Sequence, residues 1–391
     1  MTRTSKISKT EHSIPWFWPM ASAIEMEEED LRLFPDNMRY IAEAAKIEAP
    51  PPPARPTPNR VIRNLDTMRL RDVSGADAEK TAVPVLIDAP YAGRSSTIAD
   101  YTKGQSLVES LLATGLPRVP CADWKPATRA MRDFGSDTYL STLDRAVDAL
   151  GGRVALVGLC QGGWLSAMYA CLFPEKVLAL VLAGSRVDTD TGNGPIKRMA
   201  HELPLSFYEE MVAAGGGRML GQYMLAGWKD MHPDEQYVGK FIDLYANIED
   251  NSYIQRTEEF ERWDENPIDL AGRSYLQSIQ WLFKENRFAK GEFVGLGQTL
   301  SLKTITCPLY LLAGASDDIT TKEQVFAAEH LVATPRGHIV KKLMPGGHIG
   351  LFMGSRTLKE AWPHIGAWLL ANTRAGGAAA APQKTESAPH D

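Results

Sequence analysis

Cysteine is scarce in this sequence of 391 residues. Cys121, Cys160, Cys171 and Cys307 each stand alone, and no C-x-x-C pair occurs. That spacing argues against a disulfide framework and a structural zinc site, and favours reduced thiols. Long apolar runs are also lacking, and none approaches the roughly 20 residues a membrane helix needs. No secretory signal is legible. The stretch Ile14 to Ile24 is broken by Pro15 and Pro19 and runs into Glu25, Glu27, Glu28 and Glu29, with no small-residue cleavage site. The expected location is the cytoplasm. Blocks of Lys or Arg are absent and the net charge is -6, so no electrostatic case for nucleic acid exists. There is no H-E-x-x-H, no G-x-x-x-x-G-K-[ST] and no G-x-G-x-x-G opening a first β-α turn, so no metal and no cofactor is implied.

What remains is an ordinary folded composition, 44% hydrophobic and 23% charged, long enough for one large α/β domain with an insertion. Five segments are expected. Residues 1–60 form a helical preamble and a Pro-rich linker. The aromatic Pro15 to Met20 precedes a helix over Glu28 to Lys46, with Leu31, Phe34, Met38 and Ile41 at helical spacing. Residues 49–58 are too rich in proline for helix or sheet interior. Residues 61–188 alternate strands and helices. Strands are read at Val61 to Arg71, Val85 to Ala89, Arg118 to Ala122, Val154 to Val157 and Val177 to Ala183. The pattern resumes over 303–374 with strands at Pro308 to Ala313 and Ile339 to Leu343, then one helix carrying Leu358, Trp362, Ile365 and Leu369. Strands apolar on both faces and separated by helices predict a mostly parallel sheet with helices on both sides. The interval 189–302 is too long for a plain loop and is read as a helical cap over the carboxyl edge of the sheet. Its apolar side chains, such as Phe207, Met211, Trp228 and Trp281, fit an oily substrate and cap packing equally well. Residues 375–391, rich in Gly, Ala and Pro, are read as a disordered tail.

The motif Gly158-Leu159-Cys160-Gln161-Gly162-Gly163 follows the apolar strand Val154–Val157 and opens a helix. It matches the G-x-S-x-G nucleophile elbow with cysteine in place of serine, and so predicts the α/β-hydrolase fold. The glycines permit the close backbone approach that a sharp turn demands. The helix directs its positive end at the thiolate and at a developing oxyanion. The Gln161 amide is one expected oxyanion donor, and Tyr91 or Ala92, after the Val85 strand, supplies the other. The remaining cysteines read as core residues. In this fold the acid follows the strand after the cap and the histidine follows the last strand. Asp317 in Ala315-Ser316-Asp317-Asp318-Ile319 is the expected acid, with Asp318 as the alternative. His348 in Gly346-Gly347-His348 is the expected base. His201 and His232 read as structural cap residues, His338 as a surface residue.

At these residues the chain resembles the superfamily of polyhydroxyalkanoate synthases and intracellular polyhydroxyalkanoate depolymerases, which place a Cys–Asp–His triad on an α/β-hydrolase fold. The likeness covers roughly residues 61–371. Cys160 to Gly163, Trp263 to Pro267 and Glu285-Asn286 are similar to the synthases. Gln161, Asp269-Leu270, Tyr275 to Gln277, Asp317 to Ile319 and His348 to Arg356 are similar to the depolymerases, although that branch carries proline where Gly162 stands. The resemblance implies a 3-hydroxyacyl polyester or a 3-hydroxyacyl-coenzyme A as substrate. A polyester granule surface and an oligomer are partners it leaves open. Hydrolysis of 3-hydroxyacyl esters or thioesters through an acyl-cysteine is the first expectation. Polymerising transfer from coenzyme A is the alternative, and non-enzymatic granule binding a third reading.

Overall fold

Val154–Leu159 (VALVGL), Val177–Ala183 (VLALVLA) and Leu309–Gly314 (LYLLAG) hold no charged residue and are buried along almost their whole length. Segments like these need a neighbour on both faces and on both edges, so they become the middle of a covered parallel sheet. The computed structural model, which describes residues 33–75, 81–91 and 93–378, places them there.

The sheet has eight strands: β1 (Arg60–Asn64), β2 (Met68–Asp72), β3 (Val85–Asp88), β4 (Pro120–Trp124), β5 (Val154–Leu159), β6 (Val177–Ala183), β7 (Leu309–Gly314) and β8 (Ile339–Met344). Their order is β1-β2-β4-β3-β5-β6-β7-β8. Strand β2 runs antiparallel to β1 and β4, and every other pairing is parallel. This is the α/β-hydrolase arrangement expected from the sequence. Hydrophobic alternation read 61–71 as one strand region. It is a hairpin whose turn, Leu65-Asp66-Thr67, carries no Gly or Pro to announce it.

Helices pack around the sheet in two groups. Helix α3 (Ser136–Ala149) lies against α4 (Gln161–Leu172), and α5 (Trp362–Ala378) lies against α2 (Leu107–Leu112). Ser106 caps α2 by accepting from the Glu109 amide, the usual service of a serine at that position. The single last helix expected from Leu358 to Leu369 is two, Ser355–Glu360 and α5. Pro363 at the second position of α5 has no N–H to carry the first helix onward, so a new one starts. Helix α5 also runs to Ala378, past Ala375 where the tail was expected to begin; residues 379–391 lie outside those described.

The chain divides into two compact units. The larger joins Pro51–His232 to the chain from Arg262 on and contains the sheet. It includes helices Pro195–Glu202, Leu205–Ala214, Gly221–Lys229 and Gly272–Gln277 from the interval read as a cap. The smaller joins the chain up to Pro50 to Pro233–Glu261. Here α1 (Leu33–Glu48) buries Ile47 with Leu244, Ile248 and Ile254. The aromatic Pro15 to Met20 lies outside the described residues. Among the described residues no helix is long and apolar enough to cross a membrane.

Candidate active site

At the end of β5 the backbone turns within one residue. Cys160 has φ 52° and ψ -115°, a left-handed conformation that costs a non-glycine residue about 1–3 kcal/mol. The surroundings hold it there: the Cys160 amide donates to the Ala183 carbonyl at 2.9 Å, and Ser185 Oγ donates to the Cys160 carbonyl at 2.8 Å. A side chain at Gly158 would strike Gly163, and one at Gly162 would strike the Asp88 carbonyl. Small residues are therefore obligatory on both sides of the turn. Cys160 is the N-cap of α4 and makes no side-chain cap hydrogen bond, so its side chain stands at the positive end of that helix.

Asp317 lies three residues past β7, where its Oδ1 accepts from the Ile319 amide at 3.0 Å and the Thr320 amide at 2.7 Å. Its Oδ2 meets His348 Nδ1 at 2.7 Å. Both side chains are excluded from solvent, Asp317 at 0% exposure and His348 at 5%. Asp318 points elsewhere, pairing with His232 Nε2 at 2.7 Å on an exposed surface. Of the two adjacent carboxylates, the structure brings Asp317 to the histidine. The His348 segment leads into the short helix Gly350–Met353, which α5 anchors: Trp362 Nε1 donates to the Leu351 carbonyl at 2.8 Å, and Phe352 lies edge-on to the imidazole at 5.4 Å.

The electrostatics favour a charged imidazole. Burial opposes the imidazolium, but the Asp317 carboxylate and the Cys160 sulfur outweigh it, and the His348 pKa is pushed up to about 10. His348 Nε2 is buried and makes no hydrogen bond of standard geometry among the described residues, although Cys160 is near enough to act on it. The imidazolium is the form of His348 that this arrangement favours. The other three thiols are pushed up to about 12 by burial.

Tyr91 is buried among Trp124, Tyr139 and Trp164. Ala92 lies outside the described residues. The loop that follows is anchored by reciprocal bonds between Gly93 and Ile268 and by Arg94, which pairs with Asp264 and stacks between Trp228 and Trp263. No group of three metal-ligating side chains occurs among the described residues.

Three residues here escaped the sequence reading. Asp88, at the end of β3, is fully buried and accepts from Trp124 Nε1 and Ser166 Oγ, both at 3.0 Å. Ser185 fixes the elbow as described. Arg186 beside it is buried, donates through Nη2 to the Ile319 carbonyl at 2.6 Å, and lies over the Phe283 ring. Their one signal was polar residues next to a wholly apolar strand.

A family model described as "Protein of unknown function (DUF3141)" matches residues 59–355. A poly(3-hydroxyalkanoate) polymerase subunit PhaC of Haloferax mediterranei is 30% identical over 328 residues, which are 82% of this chain and 65% of that protein. The chain thus spans about two thirds of that relative's length. The PhaC subunit of Allochromatium vinosum is 27% identical over 80% of this chain and 88% of that protein. Among solved structures, a putative lipase from Acinetobacter baumannii superposes with a TM-score of 0.51 at 14% identity, covering 86% of this chain and 97% of that one. That likeness shows the fold alone. The chain belongs to the family described as DUF3141, carries the α/β-hydrolase fold, and is similar in sequence to the poly(3-hydroxyalkanoate) polymerase PhaC subunits.

Proposed function

We propose that this chain is an acyltransferase that takes 3-hydroxyacyl groups from coenzyme A thioesters onto Cys160 and passes them to a growing ester chain. The observation that carries the reading is a cysteine held at the elbow beside a buried, charged His348–Asp317 pair, in a chain whose relatives are named polymerases. The sequence reading put hydrolysis first. The relatives' names favour transfer instead.

In this reading the Cys160 thiolate attacks the thioester carbonyl carbon, and the carbonyl π pair becomes an oxyanion. The Gln161 amide and the loop after β3 receive it. Collapse expels the coenzyme A thiolate, which takes the proton from His348 Nε2 and leaves an acyl-cysteine. His348, now neutral, accepts the proton of an incoming hydroxyl as its oxygen attacks the acyl-cysteine. The new ester departs and the thiolate returns. Water in place of the hydroxyl gives hydrolysis, so the acceptor alone separates the two activities. Asp317 keeps the imidazole oriented and compensates its charge throughout.

The test is incubation of purified protein with 3-hydroxybutyryl-coenzyme A and, separately, with amorphous polyester granules. Free coenzyme A together with new polymer supports transfer. Soluble hydroxy acids released from granules, with no coenzyme A released, would replace it with the depolymerase reading. A granule-binding effect that survives C160A would replace both.

A further inference from the structure

Among the described residues, three buried polar atoms near Cys160 have no hydrogen-bond partner: His348 Nε2, Gln161 Oε1 and Arg186 Nη1. An orphaned buried polar atom costs about 1–3 kcal/mol, and several of them near one candidate nucleophile point to a ligand that completes them. His348 Nε2 is spoken for by the reaction itself. One acceptor and one donor remain.

Their placement is fixed by the fold. Gln161 opens α4 directly after Cys160, and Arg186 lies three residues beyond β6, the strand paired with β5 through Leu159 and Ala183. The Ser185 bond to the Cys160 carbonyl ties the Arg186 segment to the elbow. The guanidinium is itself immobilised: Nη2 donates to the Ile319 carbonyl and to Thr320 Oγ1, and one face rests on Phe283 at 4.5 Å. Phe283 in turn meets Trp164 of α4 edge-on at 6.0 Å. Cys160 and Asp317 are close enough to act on this cation, partly offsetting the burial that draws its pKa below the usual arginine range.

We propose that Gln161 and Arg186 form a hydroxyl-recognition pair for the acyl group carried by Cys160, the 3-hydroxyl donating to Gln161 Oε1 and accepting from Arg186 Nη1. This rests on the acyl-transfer reading above and names what that site selects. A hydroxyl is the simple group that offers a donor and an acceptor on one atom. A methylene satisfies neither orphan. A carboxylate answers the guanidinium but sets its lone pairs against the Gln161 oxygen. Charge balance agrees. Thiolate, imidazolium, Asp317 and Arg186 sum to zero at rest, and Asp317 with Arg186 sum to zero in the acyl-enzyme, so a neutral group leaves the buried site neutral where an anion would not.

The experiment is single-turnover acylation of the full chain by 3-hydroxybutyryl-, butyryl- and succinyl-coenzyme A, in wild type, R186M, R186K and Q161M. The readout is the ratio of second-order acylation rate constants, which is insensitive to losses common to all three substrates. Wild type is expected to prefer 3-hydroxybutyryl over butyryl by about tenfold to a hundredfold, the worth of a hydrogen bond to a charged group. R186M and Q161M are each expected to bring that ratio close to one. A ratio unchanged in both variants overturns the proposal, as does a succinyl preference that R186M removes. If R186M does not fold, R186K and Q161M carry the same ratio. If no thioester acylates Cys160, the acyl-transfer reading fails. The pair is then judged by protection of Cys160 from iodoacetamide by 3-hydroxybutyramide against butyramide, where equal protection overturns it.

Discussion

Cys160 and Asp317 together hold the charge on His348. The sulfur is one of two reasons that the imidazole stays protonated, the other being Asp317. C160A should therefore lower the His348 pKa from about 10 towards its ordinary 6.5 without removing the Asp317 contribution, and an NMR titration of the imidazole reads it directly. Because the folded value lies above the ordinary one, the stability that this ionisation contributes is complete below pH 6.5 and is lost as pH rises through about 10. C160A should shrink that alkaline loss. D317N should cost roughly a hundredfold to ten-thousandfold in acylation, the range for a disabled acid–base pair, while D318N, which breaks only the exposed contact with His232, should stay within a few fold; the reverse ranking would reassign the acid. The candidate nucleophile and base could be picked out because the elbow motif and the chain order restrict where they would sit. Asp317 was preferred to Asp318 on its place in the loop alone, because neighbours on a turn differ mainly in the direction of their side chains. Arg186 left no motif at all, its meaning arising from burial next to an elbow twenty-six residues earlier by the numbering.

The elbow is an element-scale device, in which β5, α4 and the end of β3 leave no spare volume at Gly162. G162A drives a methyl group into backbone, which cannot rotate aside, and overpacking of this kind costs about 1–3 kcal/mol. The measurement is a denaturant midpoint, and an unshifted midpoint would mean that α4 can slide off β3. Asp88 beneath it adds a pH dependence. Burial raises its carboxyl to about 7, with the Trp124 and Ser166 hydrogen bonds opposing. The folded protein holds this proton where the open chain, near 3.8, has lost it. Stability from this group is thus complete below about 3.8 and falls away as pH rises through about 7. D88N should flatten the dependence of Tm on pH over that interval, and an unaltered slope would move the titration to another group. At this scale the strands were legible because an apolar run of six or seven residues has few places to go. The β1–β2 turn and the restart at Pro363 were not, the first for want of a turn residue and the second because Leu358 and Trp362 keep helical spacing across the break.

At the scale of the whole molecule, the mostly parallel sheet was legible while its strand order and the partners of the interval 189–302 were not. Helical periodicity shows that a segment will fold as helix but not which core it joins. Residues 233–261 fold with the helix at 33–48, and that partnership depends on single side chains such as Ile47 that no motif marks. The cluster they form is small, with Ile47, Leu244, Ile248 and Ile254 as its buried members and Tyr40 and Phe241 packed against it. A core of this size has little reserve, because the apolar area buried rises steeply with the size of a unit. Tyr40 and Tyr245 add one edge-on ring contact at 5.3 Å, and Lys46 adds ion pairs to Glu43 and Glu258 that are partly exposed to solvent and so contribute little. Removing a buried isoleucine costs about 2–5 kcal/mol, which is a large part of what so few side chains can supply. I47A should therefore open the smaller unit locally, and hydrogen exchange followed by mass spectrometry should show faster exchange across 33–50 and 233–261. The amides of β5, β6 and β7, whose protection derives from the continuous apolar sheet, should keep wild-type rates. If those strands lose protection in step with the helices, the two units unfold as one, and the division of the chain has no energetic meaning.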